Sequence, residues 1–368
     1  MGKKILFVNP YESSLFSFRK EVLDKLIEEK YEIVLCINNT ERIEKEYGNK
    51  VQKIIDVKMS LKDKGILSNL RLRKTYKQII KNEKPDLILS FGIKPNVYCG
   101  VASKNTPIIA NITGLGKTFA KKGLLYFVGK RLYKNAFKNI DVVFFQNEEE
   151  KEFFINNKIP FNEYEIIPGS GVNTTLFVPD KFKESENIKF LFASRAIKEK
   201  GYDLLLEAIP KVLEKNKKPF FTIVSAEEDV FSDERAMSLL TKYSSNFEII
   251  KRTNDMNSIY NNYHFTVAPS FYKEGMSNIL LESLSCGRPI ITTNDNSGCK
   301  EVLQEGINGF GVTSNDLDSL VKAIEKASLL SIDEIEKMGI AGREFVKKNF
   351  DRKIVVDIYL KTVHKFCI

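Results

Sequence analysis

Two glutamates eight positions apart, Glu274 and Glu282, stand in the stretch Phe271-Tyr272-Lys273-Glu274-Gly275-Met276-Ser277-Asn278-Ile279-Leu280-Leu281-Glu282-Ser283. The first falls in a turn after the apolar run Phe265–Ala268, the second in the opening turns of a helix expected over 277–285. Carboxylates accept hydrogen bonds from hydroxyls, and two of them about two helical turns apart can face one ligand: Glu274 a sugar ring, Glu282 a ribose. Gly275 permits a close backbone approach, and a helix starting near Ser277 turns unpaired N–H groups and a positive dipole end toward an anion. Without that chemistry the segment is a capping turn with a dipole-compensating glutamate.

A second constellation is Phe190-Leu191-Phe192-Ala193-Ser194-Arg195-Ala196-Ile197-Lys198-Glu199-Lys200-Gly201. A strand ends, Arg195 follows at once, and Lys200-Gly201 opens the next helix. Arginine offers a planar donor fork and lysine a point charge, a pairing suited to a diphosphate whose leaving charge needs stabilisation. The plain alternative is a loop with two solvated cations. Other chemistries are excluded by composition. Two histidines, His264 and His364, are too few for multi-histidine metal sites. Five cysteines at wide spacing, with no C-x-x-C pair, argue against a zinc ribbon, a thioredoxin-type site or a disulfide scaffold and favour a reducing compartment. No G-x-G-x-x-G follows the first strand, which disfavours a dinucleotide oxidoreductase.

The elements that must position these residues alternate. Apolar runs at 4–9, 32–38, 87–91, 108–111 and 142–146 read as strands, with helical patterns near 16–30, 67–82 and 96–103 between them. Residues 165–179, rich in Pro and Gly, read as a linker. The alternation restarts with strands at 188–193, 220–225, 247–251, 265–268 and 289–292 and helices at 202–215, 257–260, 277–285, 316–326, 332–348 and 354–365. This is an α/β class with two parallel sheets, as 368 residues with 43% hydrophobic content allow. Ligands of such sheets sit beyond the strand C-termini, and two such edges facing each other would make one cleft for a two-substrate transfer. The N-terminal apolar run is too short for a signal peptide, and no window reaches the roughly 18 apolar residues of a spanning helix.

Ser194-Arg195…Lys200-Gly201, Glu274-x7-Glu282, Cys286-Gly287-Arg288-Pro289-Ile290-Ile291, Gly306-Ile307-Asn308-Gly309-Phe310 and Gly171-Val172-Asn173…Phe177 together resemble the retaining family-4 glycosyltransferases of GT-B fold. In the first half, Phe18-Arg19, Gly92-Ile93-Lys94-Pro95-Asn96 and Asn111-Ile112-Thr113-Gly114-Leu115-Gly116 resemble members that extend lipid-linked or capsular oligosaccharides. The resemblance implies two Rossmann-like domains with parallel sheets facing an interdomain cleft. Residues 1–170 would bind the acceptor and 171–350 the nucleotide sugar, with a terminal helix over 351–368 packing back on the first domain. It implies Arg195 and Lys200 on the diphosphate, Glu274 on donor-sugar hydroxyls, amides of Gly275, Met276, Ser277 and Asn278 on sugar and phosphate, and Glu282 on the ribose. No metal or other cofactor is implied, since the two cations take the place of a metal. Many relatives carry a first-domain histidine near the donor sugar. None lies in residues 1–180 here, and Asn111 or Thr113 would supply a neutral hydrogen bond instead. The first turn, Pro10-Tyr11-Glu12-Ser13-Ser14, lacks the paired glycines common in the family, though small Ser13 and Ser14 still admit a phosphate.

Charge is asymmetric. Residues 1–180 hold 30 basic and 21 acidic side chains, the remainder 27 of each. The surplus concentrates in 50–84 and 117–138. Such a field attracts a polyanion or an anionic surface, or is a solvated lysine-rich face. Leu124–Lys134 interleaves aromatic, aliphatic and basic residues, as an interfacial helix does, although a packed helix with a basic outer face has the same pattern. Lys94 and Lys117 are candidates for an acceptor diphosphate. The expectation is a cytoplasmic enzyme, peripheral at the inner face of the cell membrane. It would move a hexose or N-acetylhexosamine from a nucleotide sugar, UDP-linked, to a lipid-linked saccharide, with no nucleic-acid partner. Two alternatives stand beside it. One is a nucleotide-sugar epimerase of similar shape, whose acid/base carboxylates and second-domain histidine are not identifiable here. The other is a nucleic-acid-binding protein using the basic half, which the neutral second half and the glutamate pair disfavour.

Overall fold

The computed structural model describes residues 2–58, 66–115, 119, 123–182, 185–225, 228–253, 255–272 and 275–367. They fall into two compact units. One takes the described residues of 1–170, 274–276 and 353–368, the other those of 171–273 and 277–352.

The first unit runs β1 (Lys4–Tyr11), α1 (Glu12–Phe18), α2 (Lys20–Glu28), β2 (Glu32–Asn38), α3 (Glu41–Tyr47), β3 (Lys53–Asp56), α4 (Ile66–Glu83), β4 (Leu87–Phe91), α5 (Ile93–Ala102), β5 (Ile108–Asn111), α6 (Leu124–Phe137), β6 (Val142–Phe145), α7 (Glu148–Asn156) and β7 (Glu163–Ile166). The second runs β8 (Lys189–Phe192), α8 (Tyr202–Lys215), β9 (Phe220–Ser225), α9 (Glu234–Lys242), β10 (Phe247–Lys251), α10 (Met256–Asn261), β11 (Phe265–Ala268), α11 (Asn278–Ser285), β12 (Ile290–Thr293), α12 (Ser297–Lys300), β13 (Gly309–Val312), α13 (Leu317–Ser328) and α14 (Ile332–Asn349). A last helix, α15 (Arg352–Cys367), follows.

Each unit is built on a parallel sheet, of order β3-β2-β1-β4-β5-β6-β7 in the first and β10-β9-β8-β11-β12-β13 in the second. The central strands are unbroken apolar runs because helices cover both faces; all five residues of β4 are buried. In the first unit α4, α5, α6 and α7 send Tyr76, Val97, Phe137 and Phe154 into one face of the sheet. Helices α1 to α3 cover the other together with α15, whose Tyr359 ring lies 4.7 Å from Phe144 and 5.8 Å from Phe91 between centroids. The second unit packs α8 and α13 against β8, β9 and β11. Among the described residues no helix is long and apolar enough to cross a membrane.

The order of strands decides where ligands go. In the first sheet β1 and β4 are neighbours whose chains leave in opposite directions; in the second, β8 and β11 are. Beyond the carboxyl ends of such a pair the connections diverge and leave a crevice. The expected helix near 16–30 differs in detail: it begins at Glu12 and is interrupted at Arg19, whose φ of −133° is not helical. Strands β3, β7 and β13 were not expected.

Candidate active site

At the second sheet's crevice, the chain leaving β8 carries Arg195 and then Lys200, the last residue of a single 3-10 turn (Lys198–Lys200). The chain leaving β11 carries Tyr272 and leads into α11. Gly201 closes the 3-10 turn at φ +80°, and a Cβ there would lie 2.5 Å from the Pro269 carbonyl oxygen, so no other residue fits. The two loops are tied together: the Phe271 amide donates to the Glu199 carbonyl at 2.9 Å, and Ser270 Oγ donates to the same carbonyl at 3.3 Å. From the β12 side, Thr293 Oγ1 and Asn296 Nδ2 donate to the Ser270 carbonyl at 2.6 and 2.8 Å, and Asn296 also to the Tyr272 carbonyl at 3.0 Å. Held this way, the Tyr272 ring has the Arg195 Cζ and the Lys200 Nζ each 5.5 Å from its centroid. Lys200 is buried at 7% exposure, while Arg195 is exposed. The two cations singled out in the sequence thus meet at one aromatic ring.

Glu282 sits in α11 and accepts a hydrogen bond from the Tyr260 hydroxyl of α10 at 2.8 Å. Burial of the carboxyl pushes its pKa up from 4.5 to about 7, against the opposing pull of the Tyr260 hydroxyl, Arg252 and Arg352. Asn278 opens α11, and its Oδ1 is buried without a hydrogen-bond partner among the described residues. A buried acceptor of this kind calls for a donor beyond those the described residues supply. Ser277 corrects the expectation of an amide turned to an anion: its N–H donates to the Gly298 carbonyl at 3.0 Å. Glu274 lies outside the described residues. Gly275 and Met276 group with the first unit, where Asn147 Nδ2 donates to the Gly275 carbonyl at 2.6 Å. A Cβ on Gly275 would come within 2.0 Å of Gln146 Oε1, so this approach requires glycine. Met276 is buried.

In the first unit, Ser13 and Ser14 lie not in an open turn but inside α1. Ser13 is exposed, whereas Ser14 Oγ donates to the Tyr11 carbonyl and accepts from Asn9 Nδ2, both at 2.8 Å, so its hydroxyl is engaged locally. Asn111 ends β5, buried at 1% exposure. Arg19, itself buried, donates to Asn111 Oδ1 at 3.0 Å and to Ser170 Oγ at 2.8 Å, and Asn96 Nδ2 donates to the Asn111 carbonyl at 2.8 Å. The Asn111 Nδ2 has no hydrogen-bond partner among the described residues. Thr113 is exposed in the following loop, and Lys94 is half-buried in the first turn of α5. Lys117 lies outside the described residues. Glu150, buried in α7, accepts from the Gly114 amide at 2.7 Å and the Gln146 amide at 2.8 Å, fixing two loops at this edge.

The sequence alone does not single out Tyr260, Tyr272, Asn296 or Glu150. Tyr272 alone had a local signal, an aromatic in a strand-end loop two positions before Glu274; the others act through contacts distant in sequence. Neither histidine joins a site. His264 Nδ1 accepts from the Lys189 amide at 2.9 Å, its ring stacks on Phe182, and burial pushes its pKa down to about 4. His364 Nε2 meets Glu29 at 2.7 Å on the surface. The five cysteines are free and buried.

Comparison with known proteins bears on this arrangement. Residues 4–147 match the family described as glycosyl transferase 4-like, and residues 175–345 match glycosyl transferases group 1. The chain is 26% identical over 380 residues to the N,N'-diacetylbacillosaminyl-diphospho-undecaprenol alpha-1,3-N-acetylgalactosaminyltransferase of Campylobacter jejuni, covering 97% of each. Among solved structures, a glycosyltransferase from Rickettsia africae superposes with a TM-score of 0.77 at 19% identity, over 99% of this chain and 98% of that one. Anabaena HepE in complex with UDP-glucose superposes with a TM-score of 0.75 at 16% identity, over 98% and 99%.

Proposed function

The chain belongs to the GT-B glycosyltransferases of group 1, and on that premise we propose that it moves an N-acetylhexosamine or hexose from a UDP-sugar to a lipid-linked saccharide, with retention of anomeric configuration and without a metal. The observation that carries the reading is the pairing of Arg195 and Lys200 at the β8/β11 crevice, with the Glu282 carboxyl on the helix that follows. In this reading the cations bind the diphosphate and stabilise the charge that grows on it as the glycosidic C–O bond breaks. The Glu282 carboxylate accepts from the ribose hydroxyls. Glu274 contacts the sugar hydroxyls, as in the family the sequence resembles. The Asn278 Oδ1, without a partner among the described residues, is a further acceptor at the same helix start. The acceptor hydroxyl attacks the anomeric carbon from the face the phosphate leaves and passes its proton to a departing phosphate oxygen. No protein nucleophile is needed on this route.

A lipid-linked acceptor is favoured by the Campylobacter relative, whose own acceptor is an undecaprenol-diphosphate saccharide. It also accords with the outer surface of α6, where Phe127, Val128 and Leu132 are exposed among Lys130, Arg131 and Lys134, with no acidic residue in the helix. Helix α4 adds exposed Leu70 beside Arg71, Arg73, Lys74 and Lys77. Apolar side chains set among cations suit an anionic bilayer surface, and we place the enzyme at the cytoplasmic face of the membrane.

The test is a transfer assay with purified protein, a panel of UDP-sugars and undecaprenyl-diphosphate-linked saccharides, with EDTA present. Formation of an α-linked product from an α-linked donor is expected. Donor epimerisation or hydrolysis without acceptor, or a β-linked product, would overturn the reading.

A further inference from the structure

We propose that Tyr272 is a positioning residue that holds Arg195 and Lys200 together for the donor diphosphate; the proposal rests on the donor site described above. The negative face of an aromatic ring attracts cations, and both charges lie 5.5 Å from the Tyr272 centroid, inside the range of cation–π attraction. The ring is placed by the fold. Its loop is bonded to the Glu199 carbonyl on one side and to Thr293 and Asn296 on the other. Arg195 has most to gain, because it is exposed on a loop and its long side chain loses considerable rotamer entropy when a ligand fixes it. A ring that already restrains it lowers that cost. The contribution comes from the π-face, so phenylalanine should replace tyrosine and leucine should not.

The experiment is calorimetric titration of UDP and of uridine into wild-type protein, Tyr272→Phe and Tyr272→Leu, with melting temperatures recorded. Uridine lacks the phosphates and reports everything at the site except the cations. The Phe variant is expected within about threefold of wild type for UDP, and the Leu variant to bind UDP about tenfold more weakly, the size of one to two cation–π contacts. Uridine affinity and melting temperature should be unchanged in both. In steady state the Leu variant should lose kcat/KM for the donor while keeping its KM for the acceptor. Three results would overturn the proposal: UDP bound equally by wild type and the Leu variant, UDP and uridine weakened alike, or the Phe variant as impaired as the Leu variant. Wild-type protein that binds UDP no more tightly than uridine would instead remove the donor site itself.

Discussion

Acidifying the medium from pH 8 to pH 6 should weaken donor binding about tenfold through one carboxyl group. Burial raises Glu282 to about 7, against 4.5 for a free glutamate. A group with that midpoint is about nine-tenths ionised at pH 8 and about one-tenth ionised at pH 6. A ribose presents hydroxyl donors, and an ionised carboxylate accepts them at both oxygens while a neutral carboxyl competes with its own proton. Apparent affinity therefore follows the ionised fraction. The same shift bears on folding. Because the folded-state value lies above the unfolded one, the stability it contributes is fully present below pH 4.5 and is lost as pH rises through 7, at a cost of about 3 kcal/mol. Donor hydroxyls relieve part of that strain, so donor-induced thermal stabilisation should be larger at pH 8 than at pH 6. The Tyr260 hydroxyl pulls the value down, so Tyr260→Phe should move the binding midpoint to higher pH, by about one to two units if the bond is worth about 1.5–3 kcal/mol. The assay is titration calorimetry with UDP-N-acetylgalactosamine, whose diphosphate diester does not titrate in this range, across pH 5.5 to 8.5. Glu282→Gln serves as the pH-insensitive reference. A flat wild-type profile between pH 6 and 8, or a profile parallel to that of Glu282→Gln, would rule out Glu282 as the titrating group on the donor.

Lys200→Ala should lower kcat by about 100-fold or more with the fold intact, as its proposed role in stabilising leaving charge requires, and circular dichroism with steady-state assay checks both halves of that statement. Glu274→Ala should likewise remove most turnover, measured as product formed per enzyme; a wild-type rate would take this residue out of the donor site. Gly201→Ala should destabilise the protein by about 1–3 kcal/mol in urea melts, because the turn needs φ +80° and has no room beside Pro269. Replacing Lys130, Arg131 and Lys134 with glutamate should abolish sedimentation with anionic vesicles while leaving turnover on a short-chain, detergent-soluble acceptor within about threefold; unchanged vesicle binding would remove α6 from the membrane surface.

The parts of the fold legible in the sequence are those in which one segment carries its own signal. β4 and β5 were placed to the residue because buried central strands are continuous apolar runs. β3 and β7 lie at the sheet's edges, and their Lys-Ile-Ile-Asp and Glu-Tyr-Glu-Ile sequences leave residues exposed, so no apolar run announces them. β13 alternates glycine with Phe310 and Val312, too short a pattern to stand out. The site divides the same way. Arg195 and Lys200 stood out because a strand end and a cation pair are local features, and the structure joins them. That they meet at Tyr272, more than 70 positions away, depends on β8 and β11 being neighbours, which strand order decides and local pattern does not. Ser13 and Ser14 show the converse: the turn expected after the first strand is the opening of α1, where Ser14 bonds to Asn9 and Tyr11, contacts that residue size alone does not announce.

The most direct measurement is a crystal structure of the protein with UDP. The guanidinium of Arg195 and the ammonium of Lys200 are expected within hydrogen-bond distance of the diphosphate, with Glu282 on the ribose. A nucleotide bound elsewhere, or diphosphate oxygens with both cations turned away, would contradict the account.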